Sequence, residues 1–174
     1  MSDIPPNLPS TETLNTRAAS LLERYRKAGW MIVTAESCTG GLVAGLLTEI
    51  PGSSAVVDRG FVTYSNDAKQ QMLGVPAELL AAHGAVSEPV ARAMASGARQ
   101  ASGAAFAVAI TGVAGPGGGT ETKPVGLVHF AIATPDGVQA IEKRFGDLGR
   151  SAIRRASVSF ALQLLEAALS AVPK

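Results

Sequence analysis

The chain has a single cysteine, Cys38, among 174 residues, which excludes an internal disulfide and leaves no Cys-x-x-Cys metal pattern. Histidine is nearly as scarce: His83 and His129 are the only two, and neither stands at a metal-ligand spacing. No metal and no cofactor is expected. The formal charge of +1 offers no broad electrostatic footprint for nucleic acid. Although 47% of the residues are apolar, no apolar run approaches the length of a membrane span. The N-terminus lacks a charged segment followed by an apolar one, so no secretory signal is read and a cytoplasmic location is expected. Aromatic residues make up only 5%, against abundant Gly and Ala, a composition suited to a tightly packed α/β domain.

What is present reads as one domain with a sizeable core. Residues 1–11 carry Pro5, Pro6 and Pro9 and are expected to form a flexible tail, with a single domain over 12–174. Leu14, Ala18, Leu21, Leu22 and Tyr25 lie on one helical face that ends at Gly29. Trp30 to Val33 reads as a short buried strand, followed from Leu42 by helical spacing that stops at Pro51-Gly52. Ala55 to Tyr64 reads as a second strand, with a bend or bulge at Asp58-Arg59-Gly60. A short helix is expected over Asn66–Leu73, capped by Ser65 or Asn66, and another over Pro76–Ala82. Ser87-Glu88-Pro89 predicts a helix start with Ser87 as the cap. Ala104 to Val113 is a continuous apolar run expected in a central strand. Val125–Ala133 and Val138–Phe145 predict a hairpin turning at Pro135-Asp136-Gly137, and a last helix runs from about Arg150 to Ala171. The order implies a layered α/β fold with a mixed sheet.

The chemistry centres on Thr34-Ala35-Glu36-Ser37-Cys38-Thr39-Gly40-Gly41, where a strand turns into a helix. Ser37 would sit beside first-turn amides that lack intrahelical partners, a place for an anion or an oxyanion. Simple helix capping by Ser37 or Thr39 competes with this, but Gly40-Gly41 suits a backbone that something approaches closely. A serine nucleophile needs a base. His83 falls in an apparent loop and His129 inside an apolar strand, so both read as structural. Glu36 is adjacent to Ser37, but neighbouring strand residues face opposite ways, so its expected work is to anchor the turn. Lys69 can serve if it is buried and neutral; otherwise it is a solvated lysine on a short helix. Tyr64 either orients such a pair or stacks on a planar substrate. Cys38 is the rival nucleophile, read here as a buried structural thiol.

Thr111-Gly112-Val113-Ala114-Gly115-Pro116-Gly117-Gly118-Gly119 follows the central strand. It matches neither a P-loop nor a dinucleotide fingerprint. A backbone nest for phosphate or ribose, built on Gly112, Gly115 and Gly117, stands against a merely flexible connection. Arg150, at the start of the last helix, reads equally as a phosphate ligand or as a solvated arginine.

These motifs, with Gly60 to Lys69 and His83-Gly-Ala-Val-Ser-Glu-Pro-Val90, together resemble one family over roughly residues 12–170. It is the C-terminal domain of the competence/damage-inducible protein CinA, including stand-alone nicotinamide mononucleotide amidohydrolases of PncC type. The resemblance implies a three-layer α/β/α sandwich with a mixed, mostly parallel sheet ending in a hairpin. It implies hydrolysis of nicotinamide mononucleotide to nicotinate mononucleotide and ammonia, in pyridine-nucleotide recycling. Ser37 matches the family's nucleophile and Lys69 its general base, while Tyr64 and Thr111 match residues lining the site. The backbone amides of Thr39, Gly40 and Gly41 are the expected oxyanion donors. No N-terminal nucleotide-hydrolase domain precedes the motifs, so the chain looks like the stand-alone form, and related domains lead one to expect a homodimer. A non-catalytic nucleotide sensor and an amidase for another carboxamide are the alternative readings.

Overall fold

A computed structural model of the chain describes residues 8–171. The reading of residues 1–7 as part of a tail lies outside the described residues. Helix α1 (Thr11–Ala28) opens on Ser10, whose side chain accepts from the Thr13 amide, and closes on Gly29 in the left-handed region. Strand β1 (Ile32–Glu36) leads to the short helix α2 (Leu42–Thr48), and a single 3-10 turn at Ser53–Ala55 precedes strand β2 (Val57–Val62). Helices α3 (Asn66–Leu73), α4 (Ala77–His83) and α5 (Glu88–Ser102) follow in succession. Strands β3 (Phe106–Gly112), β4 (Leu127–Thr134) and β5 (Gly137–Arg144) and helix α6 (Arg150–Ala171) complete the chain.

The five strands form one sheet in the order β2-β1-β3-β4-β5. The pairs β2/β1 and β1/β3 are parallel, and β3/β4 and β4/β5 are antiparallel. Every strand except β4 therefore points the same way, as expected of a mostly parallel sheet that ends in a hairpin. The expected irregularity in β2 is also there: Ile32 pairs with Val57 but Val33 pairs with Arg59, so Asp58 is the extra residue of a bulge.

Helices cover both faces. Alternation along the strands sends Ile32, Phe106, Val108, Ile110, Val128, Phe130 and Ile132 into one core with residues of α1, α2 and α6. It sends Val33, Ala35, Ala107, Ala109, Ala131 and Ala133 into the other core, with residues of α3, α4 and α5. The second face is built from small side chains, and α5 answers with Ala91, Ala95 and Ala98. Close approach goes furthest at Gly97, where an added Cβ would stand 1.9 Å from the Leu73 carbonyl oxygen at the end of α3. That contact seats α3, the helix that carries Lys69, against α5.

Three local expectations shift, the first being the opening strand, which runs Ile32–Glu36 rather than Trp30–Val33. Ser87 precedes α5 but makes no side-chain cap; its hydroxyl donates instead to the Gly84 carbonyl at 2.9 Å. The hydroxyl is thus drawn back to the α4–α5 connection. The second strand is also shorter than Ala55–Tyr64: Ala55 belongs to the 3-10 turn, and the strand runs Val57–Val62. Among the described residues, no helix is long and apolar enough to cross a membrane.

Candidate active site

The site is built at the carboxyl edge of β1, β2 and β3. Ser37 leaves β1 with its amide still paired to Ile110 O of β3 at 2.9 Å, so its backbone position is set by the sheet. Beside it, Thr63 extends β2 by donating to Glu36 O at 2.8 Å. These parallel pairings bring Ser37 and the β2–α3 connection together.

Glu36 is wholly buried, and its carboxylate folds back over the start of α2. It accepts from the Gly41 and Val43 amides, each at 3.1 Å, and from the Ala44 amide at 2.8 Å. It therefore anchors the turn, as its position in the strand predicted. This corrects the expectation that the α2 amides hold an anion or oxyanion. The Gly41 N–H is taken by Glu36, and the Gly40 N–H donates to Ser37 O at 3.0 Å. Both glycines lie at positive φ, +58° for Gly40 and +93° for Gly41. An added Cβ would meet Arg154 Nη2 at 3.3 Å or Val62 Cγ2 at 3.2 Å respectively. The close approach inferred from the glycine pair is thus made by the protein's own side chains. Of the three expected oxyanion donors, Thr39 alone keeps an amide bonded to nothing else among the described residues; the neighbouring Cys38 amide bonds no other residue there and faces its own thiol.

Lys69 enters from α3. Ser65 caps that helix, accepting from the Ala68 amide at 3.0 Å, which turns the chain directly after β2. The lysine is 1% exposed; its Nζ lies 3.1 Å from Ser37 Oγ and donates to Thr63 O at 2.7 Å. No carboxylate bonds it among the described residues, and burial holds its pKa below the ordinary lysine value. Burial here disfavours the charged ammonium relative to the neutral amine. Cys38, next along the loop, is 6% exposed, and burial pushes its thiol up to about 12, with the Glu36 charge adding to the shift. A thiol at that value is protonated at neutral pH and a poor nucleophile.

The Ser37 hydroxyl opens on a cavity of about 270 Å³, lined by Ser37, Cys38, Tyr64, Val86, Arg150 and residues of the 112–118 loop, among them Gly112, Gly115 and Gly117. Tyr64 is 62% exposed, and its hydroxyl accepts from Arg150 Nη2 at 2.9 Å. The same guanidinium donates through Nη1 to Gly115 O at 3.0 Å. Arg150 is thus an exposed residue at the cavity that bonds two of its other walls. A larger open depression, about 450 Å³, lies between the end of α5 and the β4–β5 turn and includes neither Ser37 nor Lys69.

Thr111 is corrected. It is fully buried, and its hydroxyl donates to Ala85 O at 2.8 Å rather than facing the cavity. It ties the end of β3 to the segment that brings Val86 to the cavity wall. Gly112 and Gly115 line the cavity but are also demanded by packing. A Cβ on Gly112 would stand 2.7 Å from Val128 Cγ2, and one on Gly115 2.7 Å from Val125 Cγ1. Gly117 has no neighbour within 4 Å of such a Cβ. Neither histidine lines the cavity: His129 sits on β4 with Nε2 3.7 Å from Glu142 Oε2, and burial lowers its pKa. His83 ends α4.

Sequence reasoning missed Arg154. Its Nε donates to Cys38 O and its Nη2 to Thr39 O, each at 3.1 Å. The available signal was its place four residues after Arg150, which puts both guanidinium groups on one face of α6.

Fold and cavity together define an α/β domain with its site at the carboxyl edge of the parallel strands, and with a buried lysine against a serine hydroxyl. The chain belongs to the CinA C-terminal domain family, whose profile matches residues 14–169. It is 57% identical over 150 residues to a CinA-like protein of Anaeromyxobacter sp. (strain K), a match covering 86% of this chain but 36% of that protein. The chain thus spans about a third of the length of such relatives. It is 56% identical over 143 residues to the nicotinamide-nucleotide amidohydrolase PncC of Escherichia coli (strain K12), covering 82% of this chain and 87% of that one. Among solved structures, it resembles the competence/damage inducible protein CihA from Agrobacterium tumefaciens at 54% identity and a TM-score of 0.89, covering 95% of this chain and 99% of that one.

Proposed function

We propose that the protein hydrolyses the carboxamide of nicotinamide mononucleotide to nicotinate mononucleotide and ammonia, with Ser37 as nucleophile and Lys69 as general base. The observation that carries this reading is the 3.1 Å contact between Lys69 Nζ and Ser37 Oγ, made by a lysine that is 1% exposed. Relatedness to PncC supports the substrate.

Neutral Lys69 takes the Ser37 proton as Oγ bonds to the carboxamide carbon, and the carbonyl electrons move onto oxygen. The Cys38 amide, on a residue lining the cavity, and the adjoining Thr39 amide are the backbone donors left for that oxyanion. On collapse the C–N bond breaks, and Lys69, now ammonium, gives its proton to the departing ammonia. Water then attacks the acyl-serine ester with Lys69 again as base, releasing the carboxylate and restoring the hydroxyl. A pyridinium ring in the cavity would oppose protonation of Lys69 and so favour the base form. Arg150, beside the 112–118 loop and the start of α6, is the cation for the substrate phosphate. Tyr64 offers an exposed ring against which the planar base can stack.

The reading places the enzyme in the cytoplasm as a homodimer, whose mass sedimentation would measure. Its decisive test is incubation of the purified protein with nicotinamide mononucleotide, following ammonia and nicotinate mononucleotide together. Equal release of both supports it. Tight binding with no ammonia would favour a sensor, and turnover of a different carboxamide alone would reassign the substrate.

A further inference from the structure

The peptide geometry around Ser37 depends on a residue of another layer. In a trans peptide the N–H points opposite to the preceding carbonyl, so fixing one fixes the other. Ser37 O is held by the Gly40 amide at 3.0 Å, which sets the direction of the Cys38 N–H. Cys38 O is held by Arg154 Nε at 3.1 Å, which turns the Thr39 N–H away from α6. Thr39 O is held by Arg154 Nη2 at 3.1 Å and by the Leu42 amide at 3.2 Å.

The loop needs such a restraint. Gly40 and Gly41 occupy positive φ, so the peptides after Thr39 rotate at little steric cost and lend the 38–39 peptide no support of their own. A flipped 38–39 peptide would present the Cys38 carbonyl oxygen where its partner N–H now lies, the wrong end of the dipole for an oxyanion. One rigid guanidinium fork meets both carbonyls, which a point-charge ammonium cannot do equally well. Gly40 is small where the fork passes, since a Cβ there would stand 3.3 Å from Arg154 Nη2.

We infer that Arg154 is a positioning residue, which holds the Cys38–Thr39 backbone with its amides turned to receive the oxyanion formed at Ser37. This rests on the serine mechanism proposed above. Arg154 itself touches no reacting atom; it acts through the two carbonyls.

The test compares wild type, Arg154→Met and Arg154→Lys, each first checked for folding by thermal melting. With nicotinamide mononucleotide, Arg154→Met should lose about 100-fold in kcat, the scale of an oxyanion donor, with KM within about threefold. Arg154→Lys can reach one carbonyl and should lose about tenfold. The apparent pKa of the rate profile should stay in place in both. A kcat within threefold of wild type in Arg154→Met overturns the inference. So does a rise confined to KM, which marks a substrate ligand, or a moved pKa, which marks action through the charge of Lys69. Should Arg154→Met fail to fold, an unchanged kcat in Arg154→Lys overturns it.

A fluorophosphonate probe separates this inference from the choice of substrate. Ser37 Oγ attacks phosphorus, its proton goes to Lys69, the P–F bond breaks and fluoride leaves, with the P–O oxygen in the oxyanion position. If wild type reacts with the probe but leaves nicotinamide mononucleotide intact, the substrate reading fails. The inference then stands on a slower probe reaction in Arg154→Lys and Arg154→Met, and falls on an equal one. A wild-type Ser37 that never labels defeats both.

Discussion

Residues 37–41 and residues 112–119 leave neighbouring parallel strands at the same edge of the sheet, and both are rich in glycine. Their polar groups are used differently. In the first loop the Gly41 amide is bonded to Glu36, the Gly40 amide to Ser37 O, and the carbonyls of Cys38 and Thr39 to Arg154. The glycines there are required by positive φ and by side chains pressed against them. In the second loop Gly112, Gly115 and Gly119 are also packed closely, but residues 116–119 are exposed and Gly117 has open space around it. One loop is held to a single geometry, as the proposed bond-making chemistry requires. The other leaves open space at its tip, where the proposed substrate would be accommodated. Glycine content alone does not distinguish a backbone that must be fixed from one that must yield.

The sharpest break of this contrast lies in the fixed loop. Ser37→Ala should lower kcat by about 10⁴-fold or more, on the scale of losing a nucleophile, while the neighbouring Cys38→Ala stays within about threefold. A dead Cys38→Ala beside an active Ser37→Ala would reverse the assignment.

Lys69 comes next. Arginine holds its proton far more tightly than lysine, so Lys69→Arg should be as inactive as Lys69→Met. In wild type, kcat/KM should rise with pH through the lowered Lys69 pKa as the neutral amine forms. The same shift has a stability consequence. The unfolded lysine, near pKa ~10.4, binds a proton where the folded one has lost it, so this residue's contribution to stability rises with pH between the two values. The stability of wild type relative to Lys69→Met should therefore improve toward alkaline pH. Denaturant melts at several pH values measure it, and a difference that falls as pH rises would contradict burial as the cause.

On the yielding side, Arg150→Met should raise KM by roughly tenfold while kcat changes less than about threefold, because a phosphate ligand contributes mainly to binding. Initial-rate kinetics decide the point. A loss confined to kcat would move Arg150 into the chemical step.

The smallest effects compare the glycines directly. Gly40→Ala places a Cβ at positive φ and against Arg154, and should cost about 1–2 kcal/mol of stability. Gly117→Ala meets nothing within 4 Å and should fall within about 0.5 kcal/mol of wild type. Equal costs in denaturant melts would erase the distinction between the loops.

Much of the fold was legible because its signals act within a turn or two of chain. Ser65 before Asn66, Gly29 after Ala28 and the Arg150 to Ala171 pattern mark helix ends by local hydrogen bonding and periodicity, and the structure places those ends there. The hairpin at Pro135-Asp136-Gly137 is likewise a short-range signal, and its strands pair as expected. Local chemistry misled where a side chain had a competing partner nearby, as when the Ser87 hydroxyl turned to Gly84 O, and at strand ends such as those of β2.

The candidate site divides along the same line. Glu36 as an anchor followed from strand alternation alone, whereas Lys69 was singled out as partner to Ser37 by the family resemblance of their motifs. What only the tertiary structure decided was which groups remain available. Glu36 occupies the α2 amides, Thr111 turns to Ala85 O, and Arg154 reaches back across 115 and 116 residues to the Ser37 loop. A sequence states which donors and acceptors exist and how each segment tends to fold. Their pairing depends on parallel register and on which helices share a face, because hydrogen bonds and burial are settled by distances that only the packed layers bring within reach.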